Sequence, residues 1–221
     1  MFSRFLLLLI LFTLISPGVL DAQGKKDQVV TISTQFGEMK VILFDKTPQH
    51  KANFLKLATE GFYDSTFFHR VINNFMIQGG DPNTKPGGKP ELAGQGGPGY
   101  TIPAEFVAEY SHIKGALAAA RQGDQINPTK ASSGSQFYIV HNDEGCRHLN
   151  GQYTVFGQVI KGFEVIDAVA TQPVNRGRGD RPLKDIVITM TVEKMSRKKI
   201  AKLYGYEYPV AESEKEKAKK K

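Results

Sequence analysis

The 221-residue sequence contains no tryptophan and only one cysteine, Cys146. A single cysteine cannot form an internal disulfide, so the fold must be held by its apolar core even in an oxidising compartment. Most thiols of this kind are buried and inert, and we expect the same of Cys146. The sequence also lacks HExxH and CxxC spacings, which removes the usual sequence evidence for a zinc hydrolase or a thiol oxidoreductase.

Motifs for phosphate binding and for nucleophilic serine chemistry are missing as well. Residues 82–100 are rich in Gly and Pro, but these glycines neither lead into a helix nor precede a Lys-Ser or Lys-Thr pair, as a phosphate loop requires. Residues 132–135 read Ser-Ser-Gly-Ser and do not form the GxSxG nucleophile elbow. We therefore interpret residues 82–100 as a long surface loop and find little support for covalent catalysis.

One metal site remains as an alternative. His141, Cys146 and His148 lie close together in the sequence, and imidazole and thiolate are zinc ligands. A closed zinc site needs four ligands, so chance proximity in a polar loop is the better interpretation. We expect no metal and no cofactor.

The positive charge is concentrated at one end of the chain. The formal net charge is +7, but residues 194–221 contain ten Lys or Arg and only four Asp or Glu, which leaves residues 1–193 close to neutral. We interpret residues 194–221 as a basic C-terminal extension, partly disordered. An excess confined to a solvated terminus does not indicate a nucleic-acid partner, and we expect none.

The N-terminus has the layout of a secretory signal peptide. Arg4 precedes an apolar run over residues 5–15, a Ser-Pro-Gly breaker follows, and small residues stand near Ala22 and Gly24. The run is shorter than the roughly 20 residues that a membrane-spanning helix needs. We predict a signal peptide over residues 1–24, cleaved near residues 22–24. The mature protein would be exported, periplasmic rather than secreted, and without stable membrane insertion.

The remaining sequence is long enough for one domain with a substantial core. A hairpin with Gly37 in its connection opens it, and β-prone runs over residues 135–140, 153–159 and 185–192 indicate further strands. Helical spacing follows Thr47-Pro48 and, more briefly, Gly162. Residues 115–121 fit either a short helix or a buried strand. The pattern favours a mainly β fold, an antiparallel sheet or barrel capped by helices.

The most informative stretch is residues 67–81. Two apolar, β-prone runs flank Asn73-Asn74, and Gly-Gly-Asp ends the second run, so we predict a strand-turn-strand unit. Arg70 and Gln78 lie within these runs, where an unpartnered cation or amide would be costly to bury. Polar groups placed in this way point to a binding site, and amides with a guanidinium beside aromatic residues suit a peptide ligand.

Residues 68–81 resemble the signature of the cyclophilin-type peptidyl-prolyl isomerases. Together with the signal-peptide layout, this resemblance leads us to expect a bacterial, exported member of the family. Further matches occur in the same order at residues 97–103, 115–121, 134–139, 149–151 and 155–157. The resemblance covers residues 29–193 and places a cyclophilin-like isomerase domain at residues 25–193. It implies a closed eight-stranded antiparallel β-barrel capped by two α-helices, and we expect a monomer because barrel closure removes exposed sheet edges.

The resemblance also assigns the site. It implies that Arg70 is the catalytic residue and that Gln78 orients either Arg70 or the substrate. The substrate-binding residues implied in the same way are Phe75, Met76, Tyr138 and Leu149 in the proline pocket, Ala120 and Arg121 along the peptide backbone, and Gln136, His148 and Tyr153 at the rim. Arg121, His148 and Tyr153 replace the Asn, Trp and His that are common in eukaryotic members.

The expected activity is rotation about X-Pro bonds in unfolded or partly folded proteins, without a covalent intermediate. An alternative is a non-catalytic peptide-binding or chaperone module on the same barrel. Retention of both Arg70 and Gln78 argues against that alternative.

Overall fold

A computed structural model describes residues 25–208 of the chain. The predicted signal peptide and the end of the predicted extension, residues 209–221, lie outside the described residues. Within residues 25–208, no helix is both long enough and apolar enough to cross a membrane.

The described chain is mainly β. Its strands are β1 (Lys26–Thr34), β2 (Gly37–Leu43), β3 (Thr66–Phe67), β4 (Arg70–Ile72), β5 (Met76–Gly79), β6 (Thr101–Ile102), β7 (Ala116–Ala119), β8 (Ser132–Ser133), β9 (Phe137–Val140), β10 (Val155–Lys161), β11 (Val174–Asn175), β12 (Arg181–Pro182) and β13 (Val187–Ser196). Its helices are α1 (Pro48–Thr59), α2 (Phe163–Ala170) and α3 (Arg197–Tyr204).

The predicted opening hairpin is confirmed, and its side-chain alternation defines the two faces of the sheet. Val30 pairs with Val41 in an antiparallel register, and both are fully buried in the main core. Their neighbours Val29 and Ile42 also pair, but they point to the opposite face of the sheet and belong to a different apolar cluster. The inner face therefore forms the core of the domain.

The main sheet is antiparallel and strongly curled, with the order β3-β13-β1-β2-β10-β7-β9-β5-β4. Nine described strands take part, and within residues 25–208 no ladder joins the two end strands, β3 and β4. The predicted closed eight-stranded barrel is therefore not confirmed, and the sheet is a curled half-barrel. The end strands are short and consecutive in the chain, so residues 68 and 69 connect them instead of a ladder.

In the described part of the chain, three α-helices accompany the sheet, and not the predicted two. Helices α1 and α2 pack against the main core through residues such as Phe54 and Ile166, as their apolar spacing predicts. Helix α3 follows β13, which continues past the predicted domain boundary at residue 193 to Ser196. Ile200 of α3 is fully buried against the outer face of the sheet.

Candidate functional site

The predicted strand-turn-strand unit is confirmed and forms the wall of a cavity. In the β4–β5 pair Arg70 lies directly opposite Gln78, and Ile72 lies opposite Met76. Opposed residues of an antiparallel pair project from the same face, so the two polar side chains are brought together. Asn74 in the connecting turn has a φ of 59°, a left-handed conformation that Asn adopts more readily than most residues.

This wall borders a cavity of about 910 Å³, a size within the range of ligand-binding sites. Nine of the eleven predicted site residues line it: Arg70, Phe75, Met76, Gln78, Ala120, Arg121, Tyr138, Leu149 and Tyr153. Gln136 and His148 do not. The lining is completed by His69, Pro90, Glu91, Ala93, Gly94, Arg178, Gly179 and Arg181.

The floor of the cavity is an apolar cluster separate from the main core. Met76, Ala120 and Tyr138 are buried members of this cluster, and Phe75 and Leu149 pack against it while half exposed. Met76 lies in β5, Tyr138 lies in β9, and Ala120 directly follows β7. These three strands are neighbours in the sheet. An apolar floor open to solvent on one side suits a small apolar ring such as that of proline.

Tyr138 carries a buried hydroxyl that has a specific partner. Its oxygen lies 2.9 Å from His112 Nε2, and His112 Nδ1 lies 2.8 Å from Asn150 Oδ1. The amide oxygen can only accept, so Nδ1 carries the proton and Nε2 accepts from the tyrosine O–H. Burial lowers the pKa of His112, in keeping with this neutral form, and raises that of Tyr138 well above 10.

Arg70 is half buried, and its guanidinium makes no hydrogen bond or ion pair within residues 25–208. The Gln78 amide does not hold it. Instead, Gln78 Nε2 donates to Gln136 Oε1 at 3.1 Å. The structure therefore gives no support to Gln78 as the residue that orients Arg70, and the other expected role, a contact with substrate, stays a prediction.

Gln136 lies behind the cavity and connects its wall to the Gly-rich loop. Its amide nitrogen donates to the Gly96 carbonyl at 2.7 Å and lies 3.4 Å from the Asp81 carboxylate. Asp81 is fully buried and accepts backbone N–H groups from Asn83, Gly94 and Gly96. These bonds hold Gly94, one of the lining residues, in position. Gln136 thus supports the cavity in this structure, and its predicted contact with substrate stays a prediction.

The other predicted rim residues differ in their accessibility. The Arg121 side chain is 5% exposed, donates to the Gln152 carbonyl at 2.8 Å, pairs with Asp124, and lies over the Tyr153 ring at 4.5 Å. Its contacts keep it as part of the cavity wall. His148 is exposed and stacks on Phe75, with the ring centroids 6.2 Å apart, so it lies beside the cavity and does not line it.

The geometry does not support the alternative zinc site. His141 Nδ1 accepts the Asn74 backbone N–H at 2.9 Å, and Cys146 is buried with its sulfur facing the Phe75 carbonyl. Burial also raises the pKa of the Cys146 thiol, which agrees with the predicted inert state. Across residues 25–208, no three His, Cys, Asp or Glu side chains converge as metal ligands would.

Sequence patterns did not predict that His69 and two loop segments, at residues 90–94 and 178–181, contribute to the lining of the cavity. His69 is 5% exposed, and neither ring nitrogen has a partner within the described chain. Burial lowers its pKa to about 4, with the Asp81 carboxylate opposing the shift, so the ring is neutral at pH 7. His69 directly precedes Arg70 in the signature, and this position is the one sequence feature that could have identified it as a cavity residue. The loop segments carry no periodic signal that would place them at a cavity.

Comparison with known proteins agrees with this geometry. The family model described as cyclophilin type peptidyl-prolyl cis-trans isomerase matches residues 29–193. The chain is 41% identical over 159 residues to peptidyl-prolyl cis-trans isomerase CYP18-1 of Arabidopsis thaliana, covering 71% of this chain and 90% of that protein. It is 37% identical over 197 residues to a putative bifunctional phosphatase/peptidyl-prolyl cis-trans isomerase of Streptococcus pyogenes, covering 76% of this chain but only 39% of that protein.

A solved structure shows the same fold. The cyclophilin type peptidyl-prolyl cis-trans isomerase of Cryptosporidium parvum is 31% identical, with a TM-score of 0.65 and coverage of 76% of this chain and 98% of that chain. A second structure of that protein was determined in the presence of the dipeptide Ala-Pro. The match of the family model over most of the described residues shows that this chain belongs to the cyclophilin-type peptidyl-prolyl cis-trans isomerase family.

Proposed function

We propose that this chain catalyses cis-trans rotation of X-Pro peptide bonds, with Arg70 stabilising the twisted amide. The observation that carries the proposal is a guanidinium that has no partner among the described residues and lies beside an apolar floor, in a chain of this family. The Ala-Pro dipeptide present with the Cryptosporidium parvum protein supports a proline-containing ligand for the cavity. We infer that the substrates are proline-containing segments of unfolded or partly folded proteins.

The mechanism follows from the electronic structure of the amide. The partial double bond gives a rotation barrier of about 18–20 kcal/mol, and twisting removes the nitrogen lone pair from conjugation. A cation near that nitrogen interacts more strongly with the twisted form than with either planar form, which lowers the barrier. Arg70 is suited to this role because guanidinium stays charged and no group within residues 25–208 competes for its donors.

The lining of the cavity favours this route over covalent catalysis. The described residues that border it include no Ser, Thr, Cys or Lys, the usual nucleophiles. Its two tyrosines are Tyr138, whose pKa is raised by burial, and Tyr153, which lies against Arg121. Binding and polarisation of the amide are therefore the chemistry that this cavity offers.

We predict that Arg70→Ala lowers the catalysed exchange rate about 100-fold or more, the usual loss when one preorganised charge donor is removed. Exchange in a short Ala-Pro peptide, followed by NMR line shapes or by protease-coupled kinetics, measures the effect. The fold should be retained, because no described side-chain hydrogen bond depends on the guanidinium.

Arg147→Ala is the matched control. Arg147 is an exposed arginine on the turn that carries Leu149, and it does not line the cavity. Unchanged catalysis in Arg70→Ala would overturn the assignment. A wild-type chain that binds the peptide but does not speed its exchange would instead be the non-catalytic peptide-binding module.

We further propose that the enzyme is bacterial and acts after export, in the periplasm rather than in the medium. The support for export is the signal-peptide layout of residues 1–24, in which Arg4 precedes a short apolar run and a helix breaker. The support for a bacterial origin is the presence of Arg121, His148 and Tyr153 in place of the residues common in eukaryotic members. The absence of any required disulfide fits either compartment, since the single thiol is buried. N-terminal sequencing of the mature protein tests the proposal, with a new terminus expected near residues 22–24.

A further inference from the structure

One side of the cavity is formed by a small hairpin that the signature does not include. Strands β11 and β12 pair through Val174 and Pro182, and their connection contains Arg178 and Gly179, both of which line the cavity. The hairpin also borders a smaller groove of about 290 Å³, and Arg178 and Arg181 line both spaces. A peptide bound in the cavity can therefore extend past these two arginines into the smaller groove.

The two arginines differ in what they contact. Arg181 pairs with Asp185 at 2.8 Å, donates to the Pro90 carbonyl at 3.3 Å and lies over the Phe67 ring at 4.5 Å. It joins the hairpin to the loop at residues 90–94, which also borders the cavity. Arg178 is exposed, and no hydrogen bond, ion pair or ring contact within residues 25–208 engages its side chain.

The backbone near Arg178 is hydrogen-bonded to β4, the strand that contains Arg70. The Val71 N–H donates to the Asp180 carbonyl at 2.9 Å, so the hairpin is bonded to β4 next to Arg70. Gly179 and Asp180 have φ values of 68° and 62°, a reversal that fixes the path of the chain directly after Arg178. Arg178 is thus an exposed side chain on a backbone segment that is hydrogen-bonded to β4, at the border of the cavity.

The charges of the described residues that line the cavity sum to a positive value. Four arginines line it against one carboxylate, Glu91. Arg121 and Arg181 have carboxylate partners of their own, Asp124 and Asp185, which leaves Arg70 and Arg178 as cations without protein partners in the described chain. The field in the cavity therefore favours an anionic group.

We propose that Arg178 is a specificity-determining residue that binds an acidic side chain of the substrate, placed within a few residues of the proline. The inference rests on the proposed function and adds to it a substrate class, proline segments with a flanking Glu or Asp. In the proposed mechanism Arg70 contacts the amide of the proline, whereas Arg178 lies where the cavity meets the second groove. Exposed Leu183 in that groove offers an apolar surface for the continuing chain.

The test compares kcat/KM for pairs of peptides that differ only by Glu or Gln at one position. Four positions are tested in turn, the two before and the two after an Ala-Pro unit. With the wild-type chain, we expect the Glu peptide to exceed the Gln peptide by about two- to fivefold at one position, the range of a partly exposed ion pair. In R178Q that ratio should fall to about one. Raising the salt from 50 to 500 mM should reduce the wild-type ratio, since screening shortens the range of the attraction.

R176Q is the matched control. Arg176 lies in the same short 3-10 turn as Arg178 and is also exposed, but it does not line the cavity. We expect R176Q to keep the wild-type ratio. Equal rates for every Glu and Gln pair in the wild-type chain, or a Glu preference that R178Q retains, would overturn the inference.

Failure of the proposed function gives a different result, namely no acceleration of any peptide by the wild-type chain. Calorimetric titration of the same peptides then decides the role of Arg178. A Glu preference in Kd that R178Q abolishes supports the inference, and equal Kd values for Glu and Gln peptides overturn it.

Discussion

At the scale of single residues, the site depends on which polar groups have partners and which do not. Arg70 and Arg178 have none within residues 25–208, whereas the Tyr138 hydroxyl and the Gln78 amide are bonded to His112 and Gln136. The bonded groups shape the cavity, and the unbonded cations are available to a ligand. Whether a polar group has a hydrogen-bond partner in the protein therefore distinguishes ligand-binding groups from supporting groups better than its residue type does.

The Tyr138–His112 pair leads to a stability prediction. Tyr138→Phe should lower the free energy of unfolding by about 1–3 kcal/mol, because it leaves His112 Nε2 buried without a donor. Denaturant unfolding at pH 7 measures the loss. The phenyl ring keeps the apolar floor, so peptide binding should change little.

Tyr153→Phe provides the control, since Tyr153 also lines the cavity but its hydroxyl makes no hydrogen bond in the described chain. A double-mutant cycle with His112→Ala isolates the pair. A coupling energy near zero, or equal losses in the two Tyr→Phe variants, would contradict the assignment.

The residues of the site were predictable to the extent that they stand within the signature or its ordered matches. Arg70 and Met76 are close in sequence, and Ala120 and Tyr138 reach them through strand pairing that the resemblance supplied. His69 and Arg178 were missed for physical reasons. A buried neutral imidazole has no sequence signal, and the position of a loop arginine depends on a hairpin of only two short strands.

At the scale of elements, the ambiguous segment at residues 115–121 shows tertiary contacts overriding intrinsic propensity. Alanines favour a helix, yet Ala116–Ala119 form β7, paired on one side with β10 and on the other with β9. All four residues are buried, so both faces of the strand are covered. Small side chains fit this crowded position, and the pairing partners are too distant in sequence to be inferred from the segment itself.

Helix α3 is the one described α-helix that was not predicted from the sequence. Its basic composition suggested a solvated extension, and Lys198, Lys199 and Lys202 are indeed not buried. One side, however, places Ile200 against Val29, Ile42, Ile160 and Met195 on the outer face of the sheet. Eight residues are too few for helical spacing to stand out among so many charges.

The buried side of α3 predicts a clear difference between two of its residues. Ile200→Ala should cost about 2–5 kcal/mol in the free energy of unfolding, because Ile200 is fully buried. Leu203→Ala, three positions along the same helix, should cost much less because Leu203 is 52% exposed. Urea unfolding of both variants measures the difference, and equal costs would show that α3 does not stabilise the sheet.

At the scale of the whole molecule, the fold consists of one main core inside the curled sheet and two further apolar clusters. One of these is the cavity floor, and the other lies beneath α3. The mainly β class was predictable from alternation and turn residues. The strand order was not, because β1 pairs with β13 across nearly the full domain and β3 and β4 end the sheet although they are adjacent in sequence.

Three buried histidines give the whole molecule a predictable dependence on pH. Burial lowers the pKa of His50, His69 and His112, for His69 from 6.5 to about 4. Between these two values the unfolded chain binds a proton at residue 69 that the folded chain does not, so stability rises with pH and is lost as pH falls from about 6.5 toward 4. For His69 the loss over this window is about 3 kcal/mol, at about 1.4 kcal/mol for each pKa unit.

His69→Gln removes this proton and should flatten the curve of unfolding free energy against pH. Carboxylates titrate in the same window, so the measured quantity is the wild-type value minus the variant value, taken by urea unfolding at pH 7, 6, 5 and 4. That difference should change by about 3 kcal/mol in favour of the variant as pH falls, because glutamine carries no titrating group. His148→Gln, which makes the same substitution at an exposed histidine, is measured beside it as the matched variant. A curve for His69→Gln that runs parallel to that of the wild type would mean that the residue 69 imidazole is accessible to water, and the neutral, unpartnered imidazole beside Arg70 would then have to be abandoned as a feature of the site.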